Sequence, residues 1–160
     1  MKPTVYIETT VIGYLTSRFR SDVTVAGHQN TTREWWTNAA DRFSLLASQL
    51  VVLECSAGDA DAAQERREAL QHVQLLQTTP EAEKLANALM AGHAVPISHP
   101  EDALHIALAT VNGVEYLVTW NFRHIANATA RIAIERVCRE AGYEPPVICT
   151  PEELLEANDA

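Results

Sequence analysis

Four residues of this chain could share one chemical task. Glu8, Glu54, Asp102 and Asn121 each carry a hard oxygen donor, and each stands beside an apolar run that reads as a strand end or a helix start. Oxygen ligands gathered in that way hold Mg²⁺ or Mn²⁺. A cation so held acidifies a bound water and steadies negative charge that develops beside it, while one carboxylate could take the proton from that water. Each residue also has a structural reading. Glu8 and Asp102 could be first-turn helix acids favoured by the dipole, Glu54 a solvated helix position, and Asn121 a turn or cap residue.

Such chemistry needs elements that bring the donors together. Residues 3–7 (PTVYI) read as a buried first strand, with Glu8 at its carboxyl end and a short helix over Val11 to Leu15. Residues 16–30 are polar and mixed, a loop or a mobile arm. A helix is expected from Thr31, capped by Thr31 or Thr32, with Trp35, Trp36, Ala39, Phe43 and Leu46 as its stripe. Residues 45–53 fit a strand followed by a helix, a choice that periodicity leaves open. A charged helix over 60–72, with Ala62, Ala69 and Leu70 inward, leads to a short strand over 73–76.

Pro80 and Pro100 open two helices that Gly92 and Gly113 stop. Leu85, Ala88 and Leu89 face inward in the first, and Ala103, Ile106, Ala107 and Leu108 in the second. Residues 116–119 form a strand, 128–141 a helix closed by Gly142, 147–149 a last strand, and Pro151 opens a terminal turn. Strands alternating with helices imply right-handed crossovers and a mostly parallel sheet covered on both faces. Ligands bind beyond the carboxyl ends of such strands, where Glu8 and Asn121 fall. There is no repeat or linker, so residues 1–160 are expected to form one domain.

Composition agrees. A chain of 160 residues, 47% hydrophobic and 21% charged, is long and apolar enough for a full core and too ordered in composition for intrinsic disorder. No apolar run nears the roughly 20 residues of a membrane span, and MKPTVYIETT lacks the features of a signal peptide. Cys55, Cys138 and Cys149 show no metal or disulfide spacing and read as reduced core thiols. A cytoplasmic protein is expected. The net charge of −9 disfavours a broad basic nucleic-acid surface but suits a carboxylate cluster. Phosphate contacts could come from a basic partner or from Arg18, Arg20, Arg123 and His124; set against this, Arg123 and His124 fit a plain surface role, and Arg18 and Arg20 a pairing with the many acids. His105, three residues from Asp102, shares its helix face, and packing or hydrogen bonding is set against a contact with the site.

Taken in order, YIETTVIGYL, LVVLECSAG, PISHPEDALHIALAT and YLVTWNFRHI resemble the PIN-domain ribonucleases, above all the VapC-like toxins of bacterial toxin–antitoxin pairs. The late TPEEL adds to a likeness that runs from about residue 4 to 155. It implies a PIN-like three-layer α/β/α sandwich and a metal-dependent endoribonuclease. It places the metal ligands on Glu8, Glu54, Asp102 and Asn121, with Thr119 and Thr10 in support. It also implies a homodimer and an antitoxin partner, whose peptide often sets an Arg into the acidic site; the apolar surface at Trp35 and Trp36 is either core or such a docking face. Two residues depart from the family's D-T-N. Glu8 stands for its Asp, reaching about 1.5 Å further, one C–C bond, and Thr10 for its Asn.

Overall fold

The structure, a computed structural model, describes residues 1–156. The strands are β1 (Thr4–Ile7), β2 (Ser44–Ser48), β3 (Gln74–Leu76), β4 (Tyr116–Val118) and β5 (Val147–Cys149), with β-branched residues in β1, β4 and β5 and leucines in β2 and β3. The helices are α1 (Thr9–Thr16), α2 (Val23–Arg42), α3 (Gln49–Cys55), α4 (Ala60–Ala69), α5 (Pro80–Ala91), α6 (Pro100–Val111) and α7 (Ala128–Glu140), and a 3₁₀ turn covers Pro151–Leu154. The prolines behave as their fixed φ demands. Pro80 and Pro100 both sit in the first turn of their helices.

The sheet is parallel at every pairing among the described residues, in the order β3-β2-β1-β4-β5. Val5 lies between Leu45 and Tyr116, so β1 is the central strand. From β1 the chain steps outward one way to β2 and β3, then returns past β1 to β4 and β5. Right-handed crossovers therefore place α1 to α4 on one face and α5 to α7 on the other. The observed packing agrees: α1 meets α2, α3 and α4, while α5 meets α6 and α7. This is the expected α/β/α sandwich. Its order reverses between β1 and β4, and a parallel sheet opens a crevice at such a point, at the carboxyl ends of the strands.

Between these layers lie the fully buried Tyr6, Ile7, Trp35, Ile106, Leu117 and Ile134. Trp35 belongs to the core, and Trp36 packs against it half-buried. All three cysteines are buried and free. Among the described residues no helix is long and apolar enough to cross a membrane. Residues 157–160, the end of the expected domain, lie outside the described residues.

The largest departure from the sequence reading is the segment 16–30. Its second half is helical, because α2 begins at Val23 and not at Thr31, with the Asp22 carboxylate accepting the Val25 N–H at 2.9 Å. The remaining loop is held down. Gln29, fully buried, donates to Ser17 Oγ at 2.8 Å and to the Arg18 carbonyl at 2.7 Å, and accepts the Arg20 N–H at 3.1 Å. Arg33 adds a bond to the Ser17 carbonyl at 2.8 Å. Leu46 is corrected too: α2 ends at Arg42, with Phe43 as its cap, and Leu46 is an inward residue of β2. On α4, Ala63 and Leu70 are buried while Ala62 and Ala69 are only partly so.

Replacing Gln29 by Ala removes three partners of the loop at once. Unfolding free energy is expected to fall by about 1–3 kcal/mol, the cost of leaving buried polar groups unmet, and the Arg20 amide should lose its protection from hydrogen exchange. Unchanged exchange at Arg20 would show that the loop is held by something else.

Candidate acidic site at the sheet edge

Glu8 is the first residue past β1, and its own amide still bonds the Val118 carbonyl at 3.1 Å. Its side chain turns over the start of α1 as an N-cap. Oε1 accepts the Thr10 N–H at 3.2 Å, the Thr10 hydroxyl, and the Thr119 hydroxyl at 2.7 Å. At 3% exposure the carboxylate needs such donors, since a buried charge without them is expensive. The helix-capping reading of Glu8 is therefore realised, on the edge where a ligand would also sit.

Glu54 stands in the last turn of α3. Its Oε1 accepts the Thr9 hydroxyl at 2.6 Å and His105 Nε2 at 2.6 Å. His105 reaches across from α6, fully buried. Because a carboxylate oxygen only accepts, Nε2 carries the proton in either charge state of the ring. Nδ1 meets the Tyr6 hydroxyl at 2.7 Å, Tyr6 meets Ser48 Oγ at 2.8 Å, and Ser48 accepts the Val51 N–H as the cap of α3. A chain of polar groups thus runs from the heart of the sheet to the edge. Burial pushes the Glu54 carboxyl up, but the hydrogen bond and charge of His105, with the Thr9 hydroxyl, outweigh it and hold the group below its ordinary 4.5. Burial drives the Tyr6 hydroxyl far up, against a smaller lowering by Ser48, so Tyr6 keeps its proton.

Asp102, in the first turn of α6 and 8% exposed, accepts His124 Nδ1 on Oδ2 at 2.8 Å. His124 lies in the loop after β4, with the His99 ring 4.2 Å away between centroids. Asn121 occupies the same loop. Its Oδ1 accepts the His124 N–H at 3.0 Å, and its N–H donates to Thr119 Oγ1 at 2.9 Å. Thr119 therefore joins two halves, donating to Glu8 and accepting from Asn121. Arg123 is exposed beside His124, and both line a cleft of about 330 Å³ together with His93. Arg18 is exposed on the loop before α2, and among the described residues no hydrogen bond or ion pair joins its side chain to this group.

The donor types suit a hard divalent cation, and the internal bonds of each carboxylate converge on a single oxygen, leaving the other for a ligand. Yet among the described residues no three His, Cys, Asp or Glu side chains are drawn to a common point that could hold a metal ion. Sequence reasoning missed Tyr6, Ser48 and Thr9 as the supports of this edge, and it did not pair Asp102 with His124. A tyrosine centred in a four-residue buried strand was a usable signal, because its hydroxyl must find a partner.

Two substitutions probe these contacts. Thr119→Val deprives Glu8 of a donor and the Asn121 amide of its acceptor, and is expected to cost about 2–3 kcal/mol in chemical unfolding; a cost near zero would mean that water replaces both. For Glu54 the folded pKa lies below the unfolded one, so its stabilisation is present above pH 4.5 and fades as pH falls through the folded value. Glu54→Gln should be less stable than the parent at pH 7, with the gap closing below pH 4.5. A gap that is constant with pH would assign the loss to packing.

No family model matches the sequence, and no curated protein matches it. Among solved structures the chain is similar to one from the crystal structure of VapBC2 from Rickettsia felis bound to a DNA fragment from their promoter. The TM-score is 0.60 at 13% identity, over 92% of this chain and 98% of that one. At that identity the likeness establishes the architecture, a five-stranded parallel sheet between helical layers.

Proposed function

We propose that this chain is a metal-dependent endoribonuclease, the toxin of a toxin–antitoxin pair, working at the acidic edge between β1 and β4. The observation that supports the reading is that Glu8, Glu54 and Asp102, from three separate elements, are each bonded to residues of the carboxyl edge through a single oxygen, on a sheet with the architecture of a VapBC2 chain. When bound by these carboxylates, with Asn121 direct or through water, Mg²⁺ or Mn²⁺ supplies an acidified water and charge stabilisation.

The protein's own part is positioning. His105 fixes one oxygen of Glu54 and keeps it ionised at neutral pH, ready to accept a proton or a cation. Thr10 and Thr119 fix Glu8, and His124 fixes Asp102. Arg123, exposed beside this group, serves the phosphate. A partner antitoxin, a second copy of the chain and a cytoplasmic setting complete the proposal, as does a single domain over residues 1–160. One observation favours a second reading, a PIN-like domain that acts by binding alone: the donors are engaged by histidines and threonines and do not converge.

Purified protein incubated with structured RNAs and Mg²⁺ or Mn²⁺ should cut them, and Asp102→Ala should lower the rate by about 100-fold or more, the scale of a lost catalytic group. Folded protein that cuts with neither ion would favour the binding reading. Equal cutting by Asp102→Ala would remove Asp102 from the site.

A further inference from the structure

Above α1 the pinned loop does more than close a gap. Because Gln29 and Arg33 hold main-chain atoms of residues 17, 18 and 20 and Leu15, the Arg18 and Arg20 side chains are left exposed. Among the described residues neither has a carboxylate partner, although acids outnumber Lys and Arg by 21 to 12. Arg20 borders a cleft of about 350 Å³ whose other walls are Thr10, Gly13, Tyr14, Ser17 and Val25. The Tyr14 ring stands edge-on to His28 and Trp120, at 5.5 and 6.1 Å between centroids, and these two are stacked at 4.1 Å. Thr10 ties the cleft to the acidic edge, since its hydroxyl donates to Glu8 and accepts the Trp120 N–H at 2.9 Å. A Cβ built on Gly13 would meet nothing within 4 Å, so the floor is open.

A fixed aromatic ring, an unpaired guanidinium and hydroxyls in one small cleft match a ligand that is planar at one end and anionic at the other. A volume at the low end of ligand pockets, about 300–1,000 Å³, takes one nucleotide and excludes a helix. Duplexes keep their bases stacked inside, whereas single strands can splay one out against an aromatic ring. The geometry points to a subsite for one nucleotide of single-stranded RNA, with the base against Tyr14 and a phosphate on Arg20. This rests on the ribonuclease reading for its direction, because the strand then runs past Thr10 to Glu8.

Fluorescence anisotropy with a short, unstructured, labelled oligoribonucleotide tests it, with a chelator present so that no turnover is needed. The parent should bind the single strand in preference to the same sequence as a duplex. Arg20→Gln should weaken binding roughly tenfold and reduce the salt dependence by about 0.7 in log–log slope, one phosphate contact. Gly13→Leu fills the cleft and replaces a helix-interior glycine, so it should weaken binding about as much without lowering the melting temperature. Equal affinity in the parent and both variants overturns the subsite and leaves the cleft to a protein segment. Absence of binding by the parent, or equal binding of the duplex, overturns it as well. The cleavage assay with Asp102→Ala reads the reaction separately: binding that fails in both variants, from a protein that cuts nothing, keeps the subsite and sinks the nuclease.

Discussion

Polar groups in the middle of an apolar sheet impose a strict condition, since each must find a partner or cost stability equal to a large fraction of the net for a whole domain. Here Tyr6 and His105, both without solvent contact, meet that condition through each other, with Ser48 at one end and Glu54 at the other. The chain spans β1, the end of β2, α3 and α6. It therefore fixes how far α6 lies from α3 across the carboxyl edge, and that distance sets where Asp102 stands relative to Glu54. Much of the site's layout follows from satisfying two buried side chains.

The second constraint is topological. A sheet that reverses its order between β1 and β4 leaves the residues just past those strands facing a common crevice. Glu8 and Thr119 fill those positions and bond to each other, and Thr119 passes the connection on to Asn121 and the His124–Asp102 pair. The acidic edge is thus two hydrogen-bonded halves joined by one hydroxyl, not a bare cluster of charges. In a chain with net charge −9, hydrogen-bond donors supplied by threonines and histidines offset the cost of burying Glu8 and Asp102.

Elements announced by side-chain chemistry were legible in the sequence. Prolines at 80 and 100 and glycines at 92 and 142 marked helix ends, and β-branched residues marked β1, β4 and β5, whereas β2, built on leucine and alanine, is left open by periodicity. The start of α2 was not legible, because Val23, Thr24, Val25 and Gly27 all disfavour a helix locally. Tertiary contacts decide it instead: the Asp22 cap, the buried Gln29, and His28 stacked on Trp120. The carboxylates were likewise visible as strand-end and helix-start residues, but their partners were not. His105 lies three residues from Asp102 yet bonds Glu54, a choice made by the crossing of two helices and invisible to spacing.

The staple formed by Gln29 grips its loop through backbone atoms and a serine hydroxyl, leaving the side chains at positions 18 and 20 free of structural duty. Their identities can drift without loosening the fold. Relatives of this chain could then exchange the group that position 20 shows to the cleft, and so change what they prefer to bind, while the acidic edge stays as it is.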